Sequence, residues 1–181
     1  AATNLNATGI VYAIANYDAP DPDGDGPFPD PVPALAIGGA FSTLLGTPLT
    51  ARIATWDGAA VAPLGNGLGG GVVRTIAVVD DVDVGVPTGN VLYLGGSFTS
   101  ASWGLNSVNV NSVTKWQFNA VAEEYQWVAM GAGTAAAQVI TNDTNDWPTE
   151  NGVNGTIYAL SAFDDGNENQ WDRHSRRSSR V

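Results

Sequence analysis

Hydrophobic and polar residues alternate along this chain in short runs, and the runs recur. Ile10 to Tyr17 and Val72 to Val79 are rich in β-branched and aromatic residues, and each leads directly into Asp. Runs of this kind, bounded by Gly, Pro and Asp, predict strands. The same pattern predicts strands at 34–41, 51–57, 61–65, 91–98, 112–118, 126–130 and 156–163. With 10–17 and 72–79 that makes nine, or two four-stranded units and one strand over. No window sustains helical periodicity; Ala120 to Tyr125 comes nearest and is too short. Trp56-Asp-Gly and Leu64-Gly-Asn-Gly carry the turn chemistry of tight hairpins. The expected class is all-β.

The runs belong to an internal repeat, which is the strongest signal in the chain. Gly9-Ile-Val-Tyr-Ala-Ile-Ala matches Gly71-Val-Val-Arg-Thr-Ile-Ala and Gly155-Thr-Ile-Tyr-Ala-Leu-Ser. Ala34-Leu-Ala-Ile-Gly-Gly-Ala-Phe-Ser-Thr matches Val91-Leu-Tyr-Leu-Gly-Gly-Ser-Phe-Thr-Ser. Ala51-Arg-Ile-Ala-Thr-Trp-Asp-Gly pairs with Ser112-Val-Thr-Lys-Trp-Gln-Phe-Asn, and Pro63-Leu-Gly-Asn-Gly with Ala129-Met-Gly-Ala-Gly. The four offsets between the first two copies are 62, 57, 60 and 66 residues (71 − 9, 95 − 38, 116 − 56, 131 − 65). Two glycines inside a strand pattern predict a bulge or a close backbone approach, where a side chain would clash.

Leu92-Tyr-Leu-Gly-Gly-Ser-Phe-Thr-Ser-Ala, Val113-Thr-Lys-Trp, Trp127-Val-Ala-Met-Gly-Ala-Gly and Gly155-Thr-Ile-Tyr-Ala-Leu together resemble a kelch-like β-propeller repeat of secreted and surface proteins. Fungal cortical-marker proteins and many bacterial and large-virus surface proteins carry that pattern. The resemblance spans most of residues 9–163 and implies four-stranded blades, while saying almost nothing of activity. It implies β-propeller-type four-stranded repeats, about two blades plus a partial third. Closed propellers have ~4–8 blades. After the third Gly-x-x-Tyr-Ala strand the chain runs Asp165-Gly-Asn-Glu-Asn-Gln-Trp-Asp-Arg-His rather than into another Gly-Gly strand. The reading is a single all-β repeat domain over 1–172, with units at about 9–70, 71–154 and a partial 155–172, then a basic tail at 173–181. Either the chain is a segment of a longer propeller, or a neighbouring chain completes its sheets.

Composition narrows the chemistry. The chain has 181 residues, no Cys and one His, His174, which excludes disulfides, thiolate metal sites and thiol catalysis. Only 14% of residues are charged, against roughly 25% in an average globular protein. All 18 acidic residues lie in 1–172, against Arg52, Arg74 and Lys115, while Arg173, Arg176, Arg177 and Arg180 fall in the last nine positions. The acidic body disfavours nucleic acid; the basic end is a solvated terminus or a contact for an acidic partner. No apolar run approaches the ~18 residues of a membrane span. The chain begins at Ala1 and its one Met is Met130, as expected where a leader has been removed.

Three candidate sites stand out. Asp21, Asp23 and Asp25, with Gly26 at the sixth position, have calcium-loop spacing, because alternate carboxylates converge on one hard cation. The twelfth position is Val32 rather than Glu, so Asp30 or Asp18 would have to complete the site; the alternative is a solvated acidic turn. Asn6, Asn142 and Asn154 each open an Asn-x-Thr triplet, either glycan acceptors or ordinary polar turns. Trp103 and Trp147 lie outside the repeat and are the candidate glycan-stacking rings, whereas Trp56 and Trp116 are repeat-equivalent and expected in the core.

Catalysis finds no support in the sequence. His174 sits in the Arg-rich end, Glu123 and Glu124 would point to opposite faces of a strand, and Gly67-Leu-Gly-Gly-Gly lacks the Lys of a phosphate loop. The expectation is a non-catalytic extracellular or particle-surface structural protein, assembling with itself or with a longer parent chain as a filament, surface layer or virion component. Its first strand (Ile10 to Tyr17) or its last (Thr156 to Phe163) is expected to touch the neighbour. The alternative is a glycan- or ligand-binding propeller module with a calcium-shaped loop.

Overall fold

The computed structural model describes residues 7–20, 31–80, 90–119, 122, 124–130 and 152–162. Within them lie eleven strands and no helix: β1 (Val11–Pro20), β2 (Pro31–Gly39), β3 (Ile53–Trp56), β4 (Val61–Pro63), β5 (Leu68–Gly69), β6 (Val73–Asp80), β7 (Asn90–Gly96), β8 (Ser100–Trp103), β9 (Asn106–Asn109), β10 (Val113–Asn119) and β11 (Glu124–Ala129). Two antiparallel four-stranded sheets result, in the orders β1-β2-β3-β4 and β6-β7-β10-β11. Each sequence copy therefore builds one meander, strand for strand. A third sheet, β5-β8-β9, joins the end of the first copy to a hairpin inserted in the second.

That hairpin accounts for the step from 57 to 60 in the offsets. Between Phe41 and Arg52 the first copy makes a short loop closed by Arg52 N–H donating to the Phe41 carbonyl at 2.9 Å. Ser112 N–H donates to Phe98 C=O at the same distance in the second copy, but the longer loop between them pairs as β8 and β9. Both Arg52 (φ 68°) and Ser112 (φ 65°) are held in the left-handed region, which costs roughly 1–2 kcal/mol for a residue with a Cβ. Arg52 is tied down by its fork: Nη1 donates to Leu68 C=O at 2.6 Å, and Nε donates to Gly71 C=O. The guanidinium thus clamps the link between the two copies.

The main core lies between the sheets, where Tyr17, Ile53, Val73, Leu92, Leu94, Phe98, Trp116 and Trp127 are buried. Burying one such side chain stabilises the fold by roughly 1.5–3 kcal/mol. Trp116 packs on Trp127 at 4.8 Å and stacks with Tyr125 at 5.9 Å between ring centres. The Tyr17 hydroxyl and the indole nitrogens of Trp116 and Trp127 are buried without a hydrogen-bond partner. Burial, helped by the nearby Tyr125 phenol, pushes the Tyr17 phenol well up, while the indole N–H of the neighbouring Trp116 acts in the opposite sense. A smaller cluster of Ile37, Phe41, Leu44 and Ala54 lies on the other face of the first sheet.

Several expectations meet corrections here. The chain at 156–162 lies along the second sheet but forms no ladder, and Glu124 and Tyr125, the end of the weak helical window, begin β11. Of the bulge or close approach expected of the Gly-Gly strands, the close approach is found at the glycines and the bulges sit in their partners. β1 shifts register between Val11 and Ala13, and β6 between Val73 and Thr75. Trp56-Asp-Gly does turn as expected: Asp57 Oδ1 accepts N–H bonds from Ala59 at 2.8 Å and Ala60 at 2.7 Å, which hold its carboxyl below the usual range.

Candidate functional site

The bulges decide which residues the first strand of each copy presents. Tyr12 and Arg74 are the extra residues, so Val11 and Ile14 share one face of β1, and Val73 and Ile76 share the equivalent face of β6. The face on β6 is covered. Val73 is fully buried and sits against Gly38 of β2, where an added Cβ would lie 2.5 Å from Val73 Cγ1 and 3.1 Å from Ile76 Cδ1.

The second sheet repeats this junction. A Cβ on Gly95 of β7 would lie 2.6 Å from Ile157 Cγ2 and 2.8 Å from Thr75 Cγ2. Ile157 of the third copy therefore stands where Val73 stands in the second. Ile157 N–H donates to Gly96 C=O at 2.9 Å, and Leu160 N–H to Thr75 Oγ1 at 3.2 Å. Val153 N–H donates to Asn111 C=O at 2.8 Å just before it. The first glycine of each pair is thus the landing place for the segment that opens the next copy. The second glycine has a different cause. Gly39 lies against the Ile10 carbonyl and Gly96 against the Val72 carbonyl, so any side chain there would meet backbone.

The same face on β1 is open. Val11 is 38% exposed and Ile14 60%, against 0% for Val73. Ile10 and Tyr12 beside them are exposed as well. Across the three copies the bulge-position residues line up: the Arg74 guanidinium lies 5.0 Å from the Tyr12 ring centre and 4.9 Å from that of Tyr158. Such cation–π contacts contribute about 0.5–2 kcal/mol each and here offset the buried, unpartnered Arg74 Nε.

Of the residues singled out from the sequence, Asp18 is exposed on β1, Asn154 is exposed, and Trp103 is half-buried. Trp103 packs against the main core and its indole N–H donates to Glu124 Oε1 at 3.4 Å. Asp21, Asp23, Asp25, Asp30, Asn6, Asn142, Trp147 and His174 lie outside the described residues. A cleft of about 240 Å³ between Thr8, Phe41, Ser42, Arg52 and Val72 has Arg52 as its one charged lining residue, and that fork is occupied by the carbonyls of 68–71. The open face of β1 is therefore the candidate site. Sequence reading named the first strand as a contact but not this face of it, because Val11 and Ile14 have the same character as their buried counterparts; their exposure is what sets them apart.

No family model, curated protein or solved structure matches this chain.

Proposed function

We propose that this chain is a non-catalytic structural protein of an extracellular or particle surface, whose four-stranded sheets are propeller-type units that assemble with further units of their own kind. The observation that carries the reading is the contrast between Val11 and Ile14, exposed on β1, and Val73, buried at the equivalent place on β6. Apolar strand faces left open in one copy and covered in the next are what a stacking surface looks like. Sparse charge, the absence of Cys and a single His support a structural rather than a chemical role.

Light scattering coupled to size exclusion, with negative-stain imaging, tests this on the purified chain. Oligomers or polymers whose size rises with concentration are expected. A chain that stays monomeric at every concentration and binds saturably on a glycan array would overturn the reading in favour of a ligand-binding module.

A further inference from the structure

We propose that the Gly95 face of the second sheet takes β1 of a second copy of this chain in place of residues 156–162, so that copies join head to tail. The inference rests on the assembly reading above and names the surfaces involved. The internal junction is the template, because Val73 of β6 already seats on Gly38 in this way. At the second junction Gly95 stands where Gly38 stands, and it is covered by a segment that resembles β1. Gly155-Thr-Ile-Tyr-Ala-Leu-Ser and Gly9-Ile-Val-Tyr-Ala-Ile-Ala share Gly, Tyr and Ala at matching positions, with Ile157 and Leu160 standing for Val11 and Ile14.

Three physical points favour exchange. First, the covering segment forms no ladder, whereas β1 is bound to β2 along its length, so β1 arrives as part of a rigid sheet. Second, seating Val11 and Ile14 on the Gly95 face removes apolar surface that is exposed in the single chain and that none of the described residues covers. Third, Arg74 would keep its second aromatic partner. Tyr12 of the incoming copy occupies the place of Tyr158, and the column then alternates tyrosine and arginine from copy to copy.

The contact is heterologous, joining one surface to a different one, so it closes into a ring or continues as a filament according to the rotation per copy. The attached segment 156–162 competes with it at a high effective concentration and so limits assembly. Its release is the step that permits growth.

The test uses the full chain and three variants, followed by analytical ultracentrifugation over a concentration series. Ile14→Asp places an unpaired carboxylate on the open face and should weaken association about tenfold or more. Because Ile14 is exposed in the single chain, tryptophan fluorescence and melting should stay unchanged. Ile157→Asp weakens the covering segment and should strengthen association, and adding Ile14→Asp should cancel that gain. Assembly that neither substitution alters would overturn this inference while leaving the proposed function standing. A chain that is monomeric in all four forms overturns both.

Discussion

Substituting Gly38 by Ala probes the junction between the two sheets, and its cost can be worked from distances. The new Cβ would lie 2.5 Å from Val73 Cγ1, where carbon atoms prefer about 3.5–4.0 Å, so the sheets must part by about 1 Å or Val73 must leave its rotamer. Overpacking of this kind costs about 1–3 kcal/mol. The backbone itself accepts Ala, since Gly38 is not among the positive-φ glycines. Val73→Ala removes two methyl groups from a fully buried site and should cost about 2 kcal/mol by lost transfer energy and a small cavity. Combined, each change makes room for the other. The double variant should lose about 2 kcal/mol, where independent sites would lose about 4. Urea titration followed by the fluorescence of the buried Trp116 and Trp127 measures all four forms. Additivity within about 0.5 kcal/mol would show that Gly38 is not the seat of Val73.

Tyr17→Phe deletes a buried hydroxyl with no hydrogen-bond partner and should leave stability unchanged or raise it by up to about 1 kcal/mol; a loss above that in the same titration would reveal a hidden partner. Arg52→Ala removes charged donors from the 68–71 carbonyls and should cost about 1.5–3 kcal/mol, with Arg52→Lys recovering little because an ammonium cannot fork; full recovery by Lys in thermal melts would refute the clamp. Asp57 has its carboxyl pKa depressed by two turn N–H bonds, so it contributes stability above the ordinary carboxylate range that is lost as pH falls through its folded value. Asp57→Asn should flatten that acid limb slightly in melts across pH, and an unchanged limb would count against it. If Asp21, Asp23, Asp25 and Asp30 hold calcium, chelator should lower the melting temperature and millimolar calcium restore it; identical melts would remove calcium from the account.

The repeat made the meanders legible in advance, because each matched motif has strand composition and each copy keeps the motifs in order. Ile53 to Trp56 and Val113 to Asn119 illustrate this: turn residues and a shared Trp fix their place, and they became β3 and β10. The β8–β9 hairpin escaped notice because Ser, Gly and Asn dilute it, although Ala101, Trp103, Val108 and Val110 lean inward at strand spacing. Arg52 and Ser112 gave no sign of left-handed backbone, since neither residue type prefers it; the loop bonds to Phe41 and Phe98 impose it. The Gly-Gly pairs announced close approach but not its two different causes, which depend on how sheets stack.

Those two causes imply different evolutionary freedoms. Gly38 and Gly95 face side chains, Val73 and Ile157, that a compensating change could shorten. Gly39 and Gly96 face the carbonyls of Ile10 and Val72, and no mutation deletes a carbonyl. Across descendants of this chain, positions 38 and 73 should therefore drift together, as should 95 and 157. Positions 39 and 96 should stand still. The paired drift crosses a boundary between copies, so successive repeats are bound to one another's history and cannot be shuffled or duplicated singly without carrying the neighbour's half of the fit.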